Sequence, residues 1–309
     1  MDDVKKYVLT NGLGEIRENR TFKEYTTLKV GGRIRLVYYP NSIDNFLKFH
    51  KYYIPLQRPL FVIGAGSNVF ASDDDFDGVV VSFSKLPLRY YRVGDNFTCY
   101  PGCSVVRLAY DLSRLGYTGG EFLAGIPATI GGAVYMNAGA NGSEMKDILV
   151  SAKLLCKDGS VKEYKNNELG FAYRKSRLQE EGLIVLEVKL RFTKSDTITV
   201  RNKLNELKSK RNSSQPVDEK CAGCTFQNPA GHSAWKLIDQ IGFRGYKINQ
   251  AQVSEKHCNF LINNGNAKSE DLMKLIKEIQ ENVKREFDID LKCEWVLVNF
   301  DSKSNILNN

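Results

Sequence analysis

No apolar run in this 309-residue chain approaches the roughly 20 residues needed to span a bilayer, which argues against membrane insertion. The opening segment, MDDVKKYVLTNGLGEI, lacks the long apolar core of a secretory signal. The expectation is a cytoplasmic protein whose seven cysteines, an odd number, are free thiols. Internal repeats and low-complexity segments are also missing, so the chain is read as ordinary globular sequence. No stripe of basic residues interleaved with aromatics appears, which sets nucleic acid aside as a partner.

The composition, 42% hydrophobic and 26% charged, is that of a globular protein, and the length suggests two or three domains. A net charge of +8 favours anionic partners, among which phosphorylated small molecules remain. The densest basic group, RNKLNELKSKR from Arg201 to Arg211, carries Leu204 and Leu207 at helical spacing and reads as a solvated helix face.

Along the chain, TTLKVGGRIRLVYYP is extended and ends in proline. Ser42 then caps a helix with Ile43, Phe46, Leu47 and His50 on one face. LFVI and GVVVSF are short apolar strands separated by GAGSN and the turn ASDDDFDG. Ser104 caps a further helix carrying Val105, Leu108, Ala109 and Leu112, which Gly116 stops. After two strands, SAKLLCKDG and LIVLEVKLRF, comes the basic helix. A last unit holds CAGCTFQNP, VSEKHCNFLINN, a helix from Glu270 to Phe287 and a closing strand, LKCEWVLVNF.

Two glycine loops carry chemistry. IGAGSNVF follows a strand, but a Rossmann loop would need glycine at position 69, which is Val69, and a following helix with an acidic ribose ligand. Gly64 and Gly66, the intervening amides, the Ser67 hydroxyl and the Asn68 amide still suit an anion, although a plain strand-to-strand turn reads equally well. The second run, GIPATIGGAVYMNAGANG, mixes glycines with Ile126, Ile130, Val134, Tyr135 and Met136. That mixture suggests backbone packed against something flat and large, such as a flavin or a nucleotide.

In order, YTTLKVGG, GAGSN, GIPATIGGAVYMNAGANG, YRKS, CAGCTFQNP, VSEKHCNF and CEWVLV resemble the motifs of the UDP-N-acetylenolpyruvoylglucosamine reductase family, in its shorter, second type. The resemblance runs over roughly residues 22–298 and implies an α+β chain. Residues 1–84 and 85–200 would form a two-part FAD-binding fold of the vanillyl-alcohol-oxidase (PCMH) type, with a strand within 290–309 returning to the first part. Residues 201–289 would form a C-terminal α+β substrate-binding domain. The implied activity is NADPH-dependent, FAD-mediated reduction of an enolpyruvyl UDP-sugar in peptidoglycan precursor synthesis, and so in cell wall biogenesis, cell shape and cell division. Another flavin oxidoreductase of the same fold, or a non-catalytic nucleotide-binding relative, stands as the alternative. The expected assembly is a monomer.

The resemblance also implies site residues. Non-covalent FAD would be held by Gly64, Ala65, Gly66, Ser67 and Asn68, and by Gly125, Ile126, Pro127, Thr129, Gly132, Ala133, Asn137 and Gly139. Arg174 would meet the substrate carboxylate with a planar fork. Glu294, placed by strand alternation on the face of Val296 and Val298, would sit with it at the enolpyruvyl group. Cys224 falls where the family usually has a serine proton donor; with a reference pKa of roughly 8.5, a thiol holds its proton at neutral pH. Zinc or a redox disulfide at Cys221 and Cys224 is the competing reading. Zinc would need about four ligands, and only His257 and Cys258 lie nearby downstream, so no metal is expected. Asn228, Lys256 and Asn259 would bind substrate, while His257 would support its loop. Four positions depart from the family pattern. Ala128, Asn249 and Gln250 replace glycines, and Ser214 replaces a lysine.

Overall fold

The structure, a computed structural model, describes residues 1–300. It divides into two compact units, the first made of Met1–Glu18, Leu36–Ala65 and Gly78–Arg211. The second comprises Asn19–Arg35, Gly66–Asp77 and the residues from Asn212 onward.

The first unit buries two apolar clusters. One lies among the helices Asp2–Thr10 and Ile43–Tyr53 and a four-stranded sheet. The sheet runs in the order Gly14–Thr21, Arg33–Pro40, Phe76–Ser82, Leu60–Ile63. The last two strands pair in parallel, Leu60 opposite Val79. Ser42 caps its helix by accepting the Asn45 N–H at 3.1 Å, as the sequence suggested. The buried face is turned from the expected one: Phe46, Phe49, His50 and Tyr53 are buried, while Ile43 and Leu47 pack at its margin. The aromatic side chains of Phe49 and Tyr53, large enough to reach the sheet, take the centre.

The other cluster lies under a five-stranded antiparallel sheet, ordered Val161–Lys165, Leu149–Leu155, Ile184–Arg191, Asn96–Cys99, Tyr90–Val93. The helix Val105–Leu115 covers it with Val105, Leu108, Ala109 and Leu112, between the Ser104 cap and Gly116 at φ +69°. The basic helix Thr197–Ser214 buries Val200 and Leu204 and leaves Leu207 half-exposed; Arg201, Lys203, Lys208 and Lys210 are exposed, while Arg211 is half-buried.

The second unit has one cluster, in which the helix Ser269–Phe287 buries Leu272, Leu275, Ile276, Ile279 and Val283. A three-stranded sheet, Lys247–Ile248, Ala251–Val253 and Leu261–Asn263, and the helix Ala234–Gln240 complete it. Val296–Val298 pairs in parallel with Val69–Ala71, so the late segment returns to an early one; the part of the expected 290–309 strand beyond Phe300 lies outside the described residues. LKCEWVLVNF is not one continuous strand, however. Cys293 bridges Phe226, the chain bends at Trp295, and the ladder begins only at Val296. Burial still alternates through the bend, with Cys293 and Trp295 buried and Glu294 and Val296 half-buried, but the pattern breaks in the ladder, where Val298 is buried. Among the described residues no helix is long and apolar enough to cross a membrane.

Candidate active site

In the first unit the two glycine loops meet. Strand Leu60–Ile63 delivers Gly64 against Thr129 so closely that a Cβ at Gly64 would stand 2.5 Å from the Thr129 hydroxyl. That hydroxyl caps the short helix Ile130–Tyr135 by accepting the Gly132 N–H at 3.4 Å. Gly132 has no other neighbour within 4 Å of its would-be Cβ. Gly64, Ala65 and Pro127 are exposed, Ile126, Ala128 and Thr129 half-buried, and Gly125 and Ala133 buried. Gly125 packs against the stem of Arg211, 3.2 Å from its would-be Cβ. Ala128 is not among the residues with positive φ, so alanine fits there without left-handed strain.

The end of the same run faces inward. Asn137, at φ +43°, is fully buried. Its amide donates to the Ala172 carbonyl at 3.0 Å and to the Glu144 carboxylate, and its carbonyl oxygen accepts the Lys146 N–H at 3.0 Å. Gly139 sits in a tight hairpin, where a Cβ would lie 2.7 Å from the Ser143 carbonyl. Ala172 and Lys175 exchange two backbone bonds of 3.1 Å, so Tyr173 and Arg174 form the tip of a two-residue turn. Arg174 holds φ +56°, uncommon for a long side chain. Its guanidinium lies 5.0 Å over the Tyr173 ring and donates to the Gly139 carbonyl at 3.4 Å. Gln179 donates to the Arg174 carbonyl at 3.3 Å and, with Ser176, to that of Tyr135. Nothing in the sequence singled out Gln179 or Glu144, whose spacing carries no periodic or motif signal.

In the second unit, Gly66 has φ +67°, and a Cβ there would stand 1.9 Å from the Tyr25 carbonyl oxygen, so only glycine fits. Its carbonyl accepts the Thr27 N–H at 3.1 Å, and the Thr27 hydroxyl donates to the Cys221 carbonyl at 2.6 Å. Thr27 is a residue sequence reasoning did not single out, although it lies in YTTLKVGG, the first motif of the family order. Ser67 and Asn68 are half-buried. The Ser67 carbonyl lies 3.7 Å from the would-be Cβ of Gly223, and the Asn68 amide donates to the Glu294 carbonyl at 3.1 Å.

Cys224 and Glu294 lie on segments whose backbones are joined. The Glu294 N–H donates to the Thr225 carbonyl at 2.8 Å, and Phe226 bridges Cys293. Asn259, expected at the substrate, is 2% exposed and spends its amide on both backbone groups of Phe226, at 2.9 and 2.8 Å. Asn228 is exposed, and its side-chain oxygen accepts the Ala234 N–H at 3.0 Å. Lys256 is exposed and donates to the Asn212 carbonyl; with Lys247, Gln252, Ser254 and Asn264 it lines a cavity of about 410 Å³. His257 accepts the Asn259 N–H at 3.3 Å, the supporting role foreseen for it, and burial holds its pKa below the ordinary value. Asn249 keeps φ +50°, the conformation a glycine would take, and donates to Asp271 at 2.8 Å.

None of the seven cysteines is joined in a disulfide. Burial pushes Cys258 up to about 11 and Cys293 up to about 12. Cys221 and Cys224 are half-buried, and the Cys221 thiol lies 3.7 Å from the Pro216 carbonyl. Among the described residues no group of three or more His, Cys, Asp and Glu side chains is placed to hold a metal.

Gly64 and Thr129 approach so closely that a Cβ on Gly64 would not fit, which brings a hydroxyl beside bare, exposed backbone, a cradle whose chemistry fits the phosphates of a flavin dinucleotide. Residues 34–165 match the FAD binding domain family, and residues 215–298 match the C-terminal domain of UDP-N-acetylenolpyruvoylglucosamine reductase. Fold and site thus define an FAD-dependent oxidoreductase, with a two-part FAD-binding fold of the PCMH type and a C-terminal α+β domain. The UDP-N-acetylenolpyruvoylglucosamine reductase of Bradyrhizobium sp. (strain ORS 278) is 40% identical over 282 residues, 91% of each chain. That of Bacillus subtilis (strain 168) is 35% identical over 96% of this chain and 99% of its own. The crystal structure of the Thermus caldophilus reductase superposes with a TM-score of 0.79 at 33% identity, covering 92% of this chain and 100% of that one. The chain belongs to the UDP-N-acetylenolpyruvoylglucosamine reductase family.

Proposed function

We propose that this protein reduces UDP-N-acetylglucosamine enolpyruvate to UDP-N-acetylmuramate in peptidoglycan precursor synthesis, with FAD as cofactor and NADPH as hydride donor. The observation that carries the reading is the junction of Cys224 and Glu294, two chemically capable groups on segments joined by the Glu294–Thr225 bond. The chemistry a bound FAD supplies is hydride transfer, from NADPH and then to the terminal carbon of the enolpyruvyl group.

The protein's own residues manage charge and protons. Hydride delivered to the terminal carbon leaves negative charge on the adjacent carbon, which spreads into the carboxylate. Arg174, proposed as that carboxylate's partner, stabilises the charge as it grows, and its hairpin is held in a sparsely populated conformation that presets its position. Cys224 gives its proton to the adjacent carbon, completing the new C–H bond, and recovers one from water. Glu294 is proposed to act with Arg174 at the enolpyruvyl group. Gly64, Ala65, Gly66 and Ser67 are proposed to turn the chain about the FAD phosphates, and Gly125, Ile126, Pro127, Thr129 and Gly132 to line the cofactor. Ala133, Asn137 and Gly139 support that lining from behind, as their burial and tight packing indicate. For the substrate we propose Asn228 and Lys256 as direct contacts, with Asn259 holding the Cys224 turn.

We keep the parts 1–84, 85–200 and 201–289 as a proposal, although the cluster of the last part also takes in Leu28, Val30 and Phe70 and that of the first takes in Leu155 and Leu186. We propose a monomer working in the cytoplasm, where nucleotide sugars and NADPH are at hand. The test is stopped-flow absorbance on the purified protein. It should be yellow, release FAD on denaturation, bleach with NADPH and regain colour when the enolpyruvyl UDP-sugar is added. A protein that takes up no FAD, or whose reduced flavin ignores that substrate, overturns the reading.

A further inference from the structure

We propose that Asn68 is a positioning residue for Glu294 rather than a ligand of the cofactor phosphate. The inference rests on the reading of Glu294 given above. The bend at Trp295 takes Glu294 out of the ladder that begins at Val296. At that bend the Asn68 amide donates to the Glu294 carbonyl at 3.1 Å. At the same time the Asn68 carbonyl accepts the Val296 N–H at 2.9 Å. On its other side the Glu294 peptide donates to Thr225 at 2.8 Å. Both backbone groups of Glu294 are therefore pinned, one to the segment after Cys224 and one to the segment after Gly66.

The chemistry of the contact selects an amide side chain at neutral pH. Whatever meets the Glu294 carbonyl here must donate, so an aspartate of the same shape would set charge against oxygen. The preceding glycine is tied to the other proton-handling segment, since Gly66 binds Thr27 and Thr27 binds Cys221. Residues 66–68 are thus a common anchor for the segments of Cys224 and Glu294. Their role is to fix the spacing of those segments before substrate arrives.

The experiment uses the holoenzyme and the variants Asn68→Asp and Asn68→Ala. FAD affinity is read by flavin fluorescence, and the two half-reactions by stopped-flow. FAD affinity and flavin reduction by NADPH should stay within about twofold of wild type. Reoxidation by saturating substrate should slow by roughly ten- to a hundredfold, the scale of a misplaced catalytic group. Loss of FAD affinity with normal reoxidation of the FAD-saturated variants would make Asn68 a cofactor ligand and overturn the proposal. Amide hydrogen exchange at Glu294 and Val296, measured without substrate, should speed up about tenfold or more in both variants as the segment loosens. Unchanged exchange there overturns the proposal whatever the kinetics. Failure of the enzymatic reading itself would show separately, as wild-type reduced flavin that the substrate does not reoxidise.

Discussion

Gly64→Ala tests whether the two glycine loops are packed as tightly as the structure has them. The new methyl would stand 2.5 Å from the Thr129 hydroxyl, against a floor of 3.0 Å for real methyl contacts, but an ordinary 3.6 Å from the Thr129 Cβ. Relief requires the hydroxyl to rotate away and release the Gly132 N–H that it caps at 3.4 Å. Losing a threonine cap costs about 1 kcal/mol. For a chain of this size that is a fall of roughly 2 °C in melting temperature. Thr129→Ala loses the same cap, so the two changes should not add. Gly64→Ala/Thr129→Ala should melt with Thr129→Ala, a coupling of about 1 kcal/mol in the cycle. FAD affinity should fall at least about tenfold in both variants that carry Gly64→Ala, since the added methyl fills the cradle. The assays are thermal melts of the apoproteins and FAD titration of all four. Additive losses in the double variant, or undiminished FAD affinity in Gly64→Ala, would refute the cradle.

Cys224→Ala should leave flavin reduction by NADPH near normal and slow reoxidation by roughly 10² to 10⁴-fold, the usual scale for a lost general acid. Cys224→Ser should keep substantial activity and Cys221→Ser nearly all of it; equal damage at the two cysteines would point instead to a paired role. Arg174→Ala and Glu294→Gln should likewise slow reoxidation more than they weaken substrate binding, and wild-type turnover in either would remove it from the catalytic set. Burial holds His50 and His257 below the ordinary value of 6.5, so the unfolded chain binds more protons than the native one around and below that pH. Stability should therefore be full above pH 6.5 and fall as pH drops through the depressed values. Urea midpoints on either side of 6.5 should show the drop, and His50→Gln should shrink it.

Features encoded within a few residues were legible in the sequence. The Ser42 and Ser104 caps, the Gly116 stop and the apolar face of the helix Ser269–Phe287 depend on local spacing, and the structure has each of them. What depends on distant partners was not. Alternation put Glu294 on one face with Val296 and Val298; it is half-buried like Val296, but Val298 is buried, since Phe226 and Val69 draw the two ends of the segment to different neighbours. Asn137 and Asn259 look like ligands in their motifs. Each is instead an internal brace, because whether an amide meets solvent or a buried backbone group is decided by segments far away in the sequence. Asn249 could be flagged as a departure from glycine. That asparagine keeps the left-handed conformation only the structure could say, although asparagine tolerates it better than most residues.

On the ribosome, this arrangement imposes an order of events. Leu28, Val30 and Phe70 leave the exit tunnel early, but the helix Ser269–Phe287 and the strand Val296–Val298 that cover and pair this region are translated far later. The first unit has all its residues once Arg211 has emerged, whereas the second must keep an apolar strand waiting, a period in which a chaperone or a premature contact can claim it. A nascent chain stalled soon after Arg211 has emerged would carry the Gly64–Thr129 approach but neither Cys224 nor Glu294.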